Sequence, residues 1–117
     1  MRRLALLALC FVFAAPAAQA AAPQRVLVEA TEFRFTLSRT AVKPGSAIVQ
    51  LAIRGEDPHD LKLRKLGSAR ASIASVPETL PGGVAEWRGK LTKGRWELYC
   101  SIRGHKAAGM RTVLNVR

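Results

Sequence analysis

Lys93-Gly94-Arg95-Trp96-Glu97-Leu98-Tyr99-Cys100-Ser101-Ile102-Arg103-Gly104-His105-Lys106-Ala107-Ala108-Gly109-Met110 begins on a turn and ends on a thioether. Trp96, Leu98 and Cys100 alternate with Arg95, Glu97 and Tyr99. A strand has a side-chain period of two, so the first three share a face. Past Cys100 the alternation stops, and Gly104, Ala107, Ala108 and Gly109 are small enough to let the chain turn back. Residues 112–116 then supply another strand. The stretch predicts strand, loop and strand, with Cys100 at the end of the first.

The same period appears upstream. Phe33, Phe35 and Leu37 alternate with Arg34 and Thr36, Lys43-Pro44-Gly45-Ser46 makes a turn, and residues 48–53 form a nearly continuous apolar strand. His59-Asp60-Leu61-Lys62-Leu63-Arg64 alternates again and puts His59 on one inward stripe with Leu61 and Leu63. Residues 84–91 read as a strand joined to 95–100 through Thr92-Lys93-Gly94. Residues 67–83 lack a clear period and read as a long connection with a helical turn near 69–74. The prediction is an all-β chain, a Greek-key β-sandwich of about seven or eight strands.

Cys100, His105 and Met110 are spaced Cys-x4-His-x4-Met. A thiolate at a strand end, an imidazole from the loop and a thioether at the start of the next strand can converge on one point. His59, heading its own inward stripe, can bring a second imidazole. Two imidazoles and a thiolate in a trigonal plane, with a long thioether contact, form the ligand set of a blue-copper electron-transfer site. Thiolate and thioether suit Cu(I) and imidazole suits both oxidation states, so one geometry serves both. Each residue alone has a plainer reading: an inert buried thiol, a satisfied or surface histidine, a core methionine.

Arg2 and Arg3 precede an apolar run from Leu4 to Ala15 and then Ala18-Gln19-Ala20, the layout of a secretory signal peptide cleaved after Ala20. The run is too short to span a bilayer, which takes roughly 20 residues. Leu9 is too bulky to precede a lipidated Cys10, and Arg2-Arg3 lacks the flanks of a twin-arginine signal. Residues 1–20 are therefore expected to be lost, leaving residues 21–117 as one exported, periplasmic domain with no transmembrane span. The exported part retains one Cys, two His and one Met, all four in the proposed ligand set. A lone thiol in an oxidising compartment is a liability unless something occupies it.

Loss of Arg2 and Arg3 takes the formal charge from +11 to +9. Such a surface favours acidic partners, anionic membranes or nucleic acid. Arg103, Lys106 and Arg111 in or beside the ligand loop sharpen this to a redox protein with an acidic docking face, against a generic solvated basic surface. Nucleic acid is disfavoured because no recognition module is present, and a monomer is expected.

The sequence resembles the cupredoxins, especially small plastocyanin-like and azurin-like members, over nearly all of residues 21–117. Besides the carboxy-terminal loop, Lys43-Pro44-Gly45, Pro58-His59-Asp60-Leu61 and Lys93 to Cys100 are similar to successive landmarks of that family. The resemblance implies one copper (Cu(I)/Cu(II)) per chain, with His59, Cys100 and His105 as strong ligands, Met110 as the axial one and His105 as the electron port. Two features depart from it. Glu56 and Asp57 stand where many relatives have an asparagine tying two ligand loops together. Arg103 stands before Gly104-His105 where many have a proline, and an added backbone N–H with a nearby positive charge favours Cu(I).

Three functions compete: electron carrier, copper chaperone or buffer, and copper enzyme. The enzyme is weakest, because catalytic centres of the multicopper relatives use further histidines and the chain has only two. Zinc is disfavoured because methionine is a poor zinc ligand. A carrier is favoured over a chaperone, since ligands from separated strands suit retention, and no Met-rich or His-rich segment is present for delivery.

Overall fold

The computed structural model describes residues 10–117. Residues 1–9 of the expected leader lie outside the described residues, and residues 10–23 are exposed and carry no regular structure. Nine strands follow in chain order: β1 (Gln24–Thr31), β2 (Arg34–Leu37), β3 (Ala41–Val42), β4 (Gly45–Ile53), β5 (His59–Lys65), β6 (Ala74–Thr79), β7 (Val84–Leu91), β8 (Gly94–Tyr99) and β9 (Arg111–Val116). They form two sheets, ordered β2-β1-β4-β7 and β3-β9-β8-β5-β6. β1 pairs parallel with β4 and β3 parallel with β9, and the other pairs are antiparallel. The all-β sandwich expected from the sequence is present, and no described residue is helical.

Alternation decides which side chains lie between the sheets. Val26, Val28 and Ala30 of β1, Val49 and Leu51 of β4, Leu61 and Leu63 of β5, and Leu98 of β8 are almost wholly inaccessible and form one core. β4 reads as nearly continuous because it is central and covered on both faces. Its Ile48, 1% exposed, lies outside the core cluster, and its partners in register are Arg25 and Arg88. Long basic side chains of this kind shelter apolar surface with their stems while their charged heads stay in water.

Two expectations fail. Residues 67–83 hold a strand, preceded by a single turn that Ala71 N–H closes on Ser68 O at 3.4 Å: β6 pairs along β5, with His59 opposite Thr79 and Leu61 opposite Val76. The register shifts between those pairs, so β6 buries Val76 and Thr79, three positions apart, and no two-residue period shows. β6 is an edge strand, which also explains why Pro77 is tolerated. Phe33 does not share the inward face of Phe35. The β1–β2 ladder closes at Thr31 opposite Arg34, which leaves Glu32 and Phe33 as the turn.

Candidate metal centre

His59 opens β5, points inward and is fully buried. Cys100 lies one residue past β8, also fully buried, and its N–H donates to the Met110 carbonyl at 3.2 Å. The loop between them is a series of tight turns. His105 N–H donates to Ile102 O at 3.0 Å, Ala108 N–H to Gly104 O at 3.0 Å, and Met110 N–H to His105 O at 3.1 Å. Gly104 has φ +85°, a conformation glycine adopts without penalty, and this lets the chain reverse just before His105. Met110 is thus tied by its backbone to both Cys100 and His105, with its side chain buried.

These constraints bring the donor atoms of His59, Cys100 and His105 to within 4.8 Å of one another. The two Nδ1 atoms are 3.2 Å apart, and Cys100 Sγ is 3.6 Å from His105 Nδ1. Nitrogens ~2.0 Å and a sulfur ~2.3 Å from one ion in a trigonal plane would be about 3.5 to 3.7 Å from each other. The spacing and the donor set therefore fit a single type 1 copper ion. Of the four sequence-predicted residues, the structure brings three donor atoms together and buries Met110 in the core cluster that also holds Cys100.

Burial shapes the chemistry of the donors. Desolvation, reinforced by the neighbouring His105, holds the His59 imidazole below the ordinary histidine range. Burial pushes the Cys100 thiol up, while backbone N–H groups of Asp60 and Ile102 pull it down by less. Both effects disfavour charge on these two donors, and a metal binding through sulfur must displace the thiol proton. His59 Nε2 is buried and has no hydrogen-bond partner among the described residues. His105 is only partly buried.

Four supporting residues escaped the sequence reading. Asp60 does the tying expected of an asparagine before His59: Oδ1 accepts from Ser101 N–H at 2.6 Å and Oδ2 from the Ser101 hydroxyl. It joins the strand bearing His59 to the residue after Cys100, and its place beside His59 was the available signal. Glu32 Oε1 accepts from Glu56 N–H at 2.6 Å and Asp57 N–H at 3.0 Å, fixing the approach to His59. The Phe33 ring meets His105 edge-on, with centroids 5.1 Å apart. Glu97, 7% exposed, binds Lys106 at 2.9 Å and Arg64 at 2.5 Å. Burial pushes its carboxyl up, but the bonds from Lys106 and Arg64 outweigh that and hold it below the usual range. Lys106 Nζ also lies 4.1 Å from the Tyr99 ring centre. Its charge is therefore partnered, whereas Arg103 and Arg111 make no ion pair among the described residues.

No protein-family model and no curated protein matches the sequence. Solved structures do. Auracyanin from the photosynthetic bacterium Roseiflexus castenholzii is similar at TM-score 0.68 and 17% identity, over 83% of this chain and 99% of that one. Auracyanin A, a "blue" copper protein of Chloroflexus aurantiacus, is similar at TM-score 0.66 and 15% identity, over 82% and 100%. An azurin of Methylomonas sp. strain J is similar at TM-score 0.62 and 19% identity, over 82% and 99%. The chain has the cupredoxin fold, and its His-Cys-His-Met cluster lies at the end of the sandwich where β5, β8 and β9 meet the ligand loop.

Proposed function

We propose that the protein is an exported one-electron carrier holding one copper through His59, Cys100 and His105, with Met110 as the weak axial ligand. The observation that carries this is the convergence of two imidazole nitrogens and a thiol sulfur in a buried, close-set cluster. Copper, when bound, would supply a Cu(II)/Cu(I) couple in a ligand field acceptable to both states. The chain's own part is to hold the donors still and dry. His59, Cys100 and Met110 are closed off from water, and the loop's turn bonds fix where His105 starts. His105 alone reaches the surface, so it is the port through which a redox partner would couple. Burial of three of the four ligands favours retention over delivery, which supports a carrier over a copper chaperone. The leader 1–20 and periplasmic export belong to this reading.

Loading the purified protein with Cu(II) should give an intense visible thiolate-to-copper band that bleaches on reduction and returns on reoxidation. Cys100→Ser should remove the band altogether. A copper-loaded Cys100→Ser protein that kept it would refute the ligand assignment.

A further inference from the structure

The turn between β1 and β2 lies against the metal-site end of the sandwich, and electron transfer as described does not use it. Phe33 in this turn has φ +59°, the only positive φ among the described non-glycine residues. A bulky side chain is disfavoured there, and glycine or asparagine would make the turn with less strain. Core packing does not explain the residue either, since it is 41% exposed. Its contact is with His105: the ring planes stand at 84°, with centroids 5.1 Å apart.

The turn is held in place by its other member. Glu32 accepts two backbone N–H groups from the segment entering His59, and Gly55 permits the approach, because a Cβ there would collide with the Glu32 carboxylate. His105 is thus contacted by two aromatic rings, Phe33 and His59, the latter also 5.1 Å away with planes at 64°. The loop's backbone bonds set the Cα of His105 but not its ring, whose terminal torsion is broad and roughly two-fold. Inward, Nδ1 meets His59 Nδ1 at 3.2 Å and Cys100 Sγ at 3.6 Å, and the partly exposed imidazole also rests edge-on against Phe33.

We propose that Phe33 is a positioning residue for His105, and that the Glu32–Phe33 turn is a clamp keeping that imidazole with Nδ1 toward Cys100 and His59. The inference rests on His105 being a metal ligand, but the clamp itself can be read without metal. The chain has two histidines, so isotope-labelled histidine gives two ring signals that a His59 variant assigns.

In the metal-free protein, Phe33→Gly should leave folding stability unchanged or raised, because glycine suits the positive φ. The His105 ring should nevertheless lose its ring-current shift and show exchange between orientations. Phe33→Tyr should behave as wild type. Glu32→Ala, which unlatches the turn but keeps the ring, should move the same signals in the same direction. With Cu(II) added, Phe33→Gly should release the ion to a chelator about two- to twelvefold faster, the range expected from one aromatic pair. Unaltered His105 ring relaxation in Phe33→Gly overturns the clamp, and altered relaxation with an unchanged release rate overturns its part in holding the ion. If wild type takes up no copper, the proposed function fails, while the ring relaxation still decides whether the clamp exists.

Discussion

His59 shows at the scale of one residue how burial couples the site to the fold. It is fully buried and neutral by preference, because desolvation and His105 depress its pKa. Unfolded, it would titrate near 6.5. Below that value the unfolded chain takes up a proton that the folded chain refuses, so stability falls as pH drops from about 6.5 toward the depressed folded value. One such group changes stability by at most about 1.4 kcal/mol per pH unit. Denaturant titrations of the metal-free protein between pH 7 and pH 5 should show this loss, and His59→Gln should flatten it. The depressed carboxylates Glu32, Glu86 and Glu97 act only at lower pH, since their reference value is 4.5. His59 was legible in the sequence because its stripe with Leu61 and Leu63 is a plain two-residue period. The left-handed turn at Phe33 was not, because aromatic alternation with Phe35 and Leu37 looks the same whether the first ring lies in the ladder or beyond it.

The site is assembled by ties between elements, and these follow chain geometry more than local pattern. β8 and β9 were readable because apolar residues alternate along an antiparallel pair, and the loop joining them carries the proposed ligands Cys100, His105 and Met110 at fixed spacing. β6 was hidden by its register shift and its edge position. Asp60 is the tie that matters most to the proposed ligands, since it links the start of β5 to Ser101 through two hydrogen bonds. Hydrogen bonds to a charged group contribute about 1.5–3 kcal/mol. Asp60→Ala should therefore lower unfolding stability by roughly that amount. Asp60→Asn keeps an acceptor for the Ser101 N–H and should lose less. Unchanged stability in both variants, measured by denaturant unfolding, would mean that Asp60 does not tie the loops.

At the scale of the whole molecule the basic excess was plain from composition, but its arrangement at the site end was not. Glu32, Glu56 and Asp57 cluster at the approach to His59, while Arg103 and Arg111 flank the ligand loop and Lys106 is held by Glu97. The end of the molecule thus carries carboxylates at the approach to His59 and, on the loop side, Arg103 and Arg111, which make no ion pair among the described residues. An open depression of about 770 Å3 there is lined by Tyr99, Cys100, Ile102, Arg103, Lys106 and Arg111, beside the proposed thiol ligand. An acidic partner docking on this side would be drawn in by Arg103 and Arg111. Added salt should slow the encounter as the Debye length shrinks from about 10 Å at 0.1 M to about 3 Å at 1 M. Arg103→Glu with Arg111→Glu should lower the low-salt rate of bimolecular electron transfer and flatten its salt dependence. The visible spectrum should stay unchanged, because neither side chain is a proposed ligand. Lys106→Glu is a poorer probe, since it would set two carboxylates together and disturb the loop itself. Stopped-flow rates across ionic strength, for wild type and the double variant with the same acidic redox protein, decide the matter. Rates indifferent to salt, or to the double reversal, would mean that docking rests on the uncharged surface around His105 and that the arginines are only solvated.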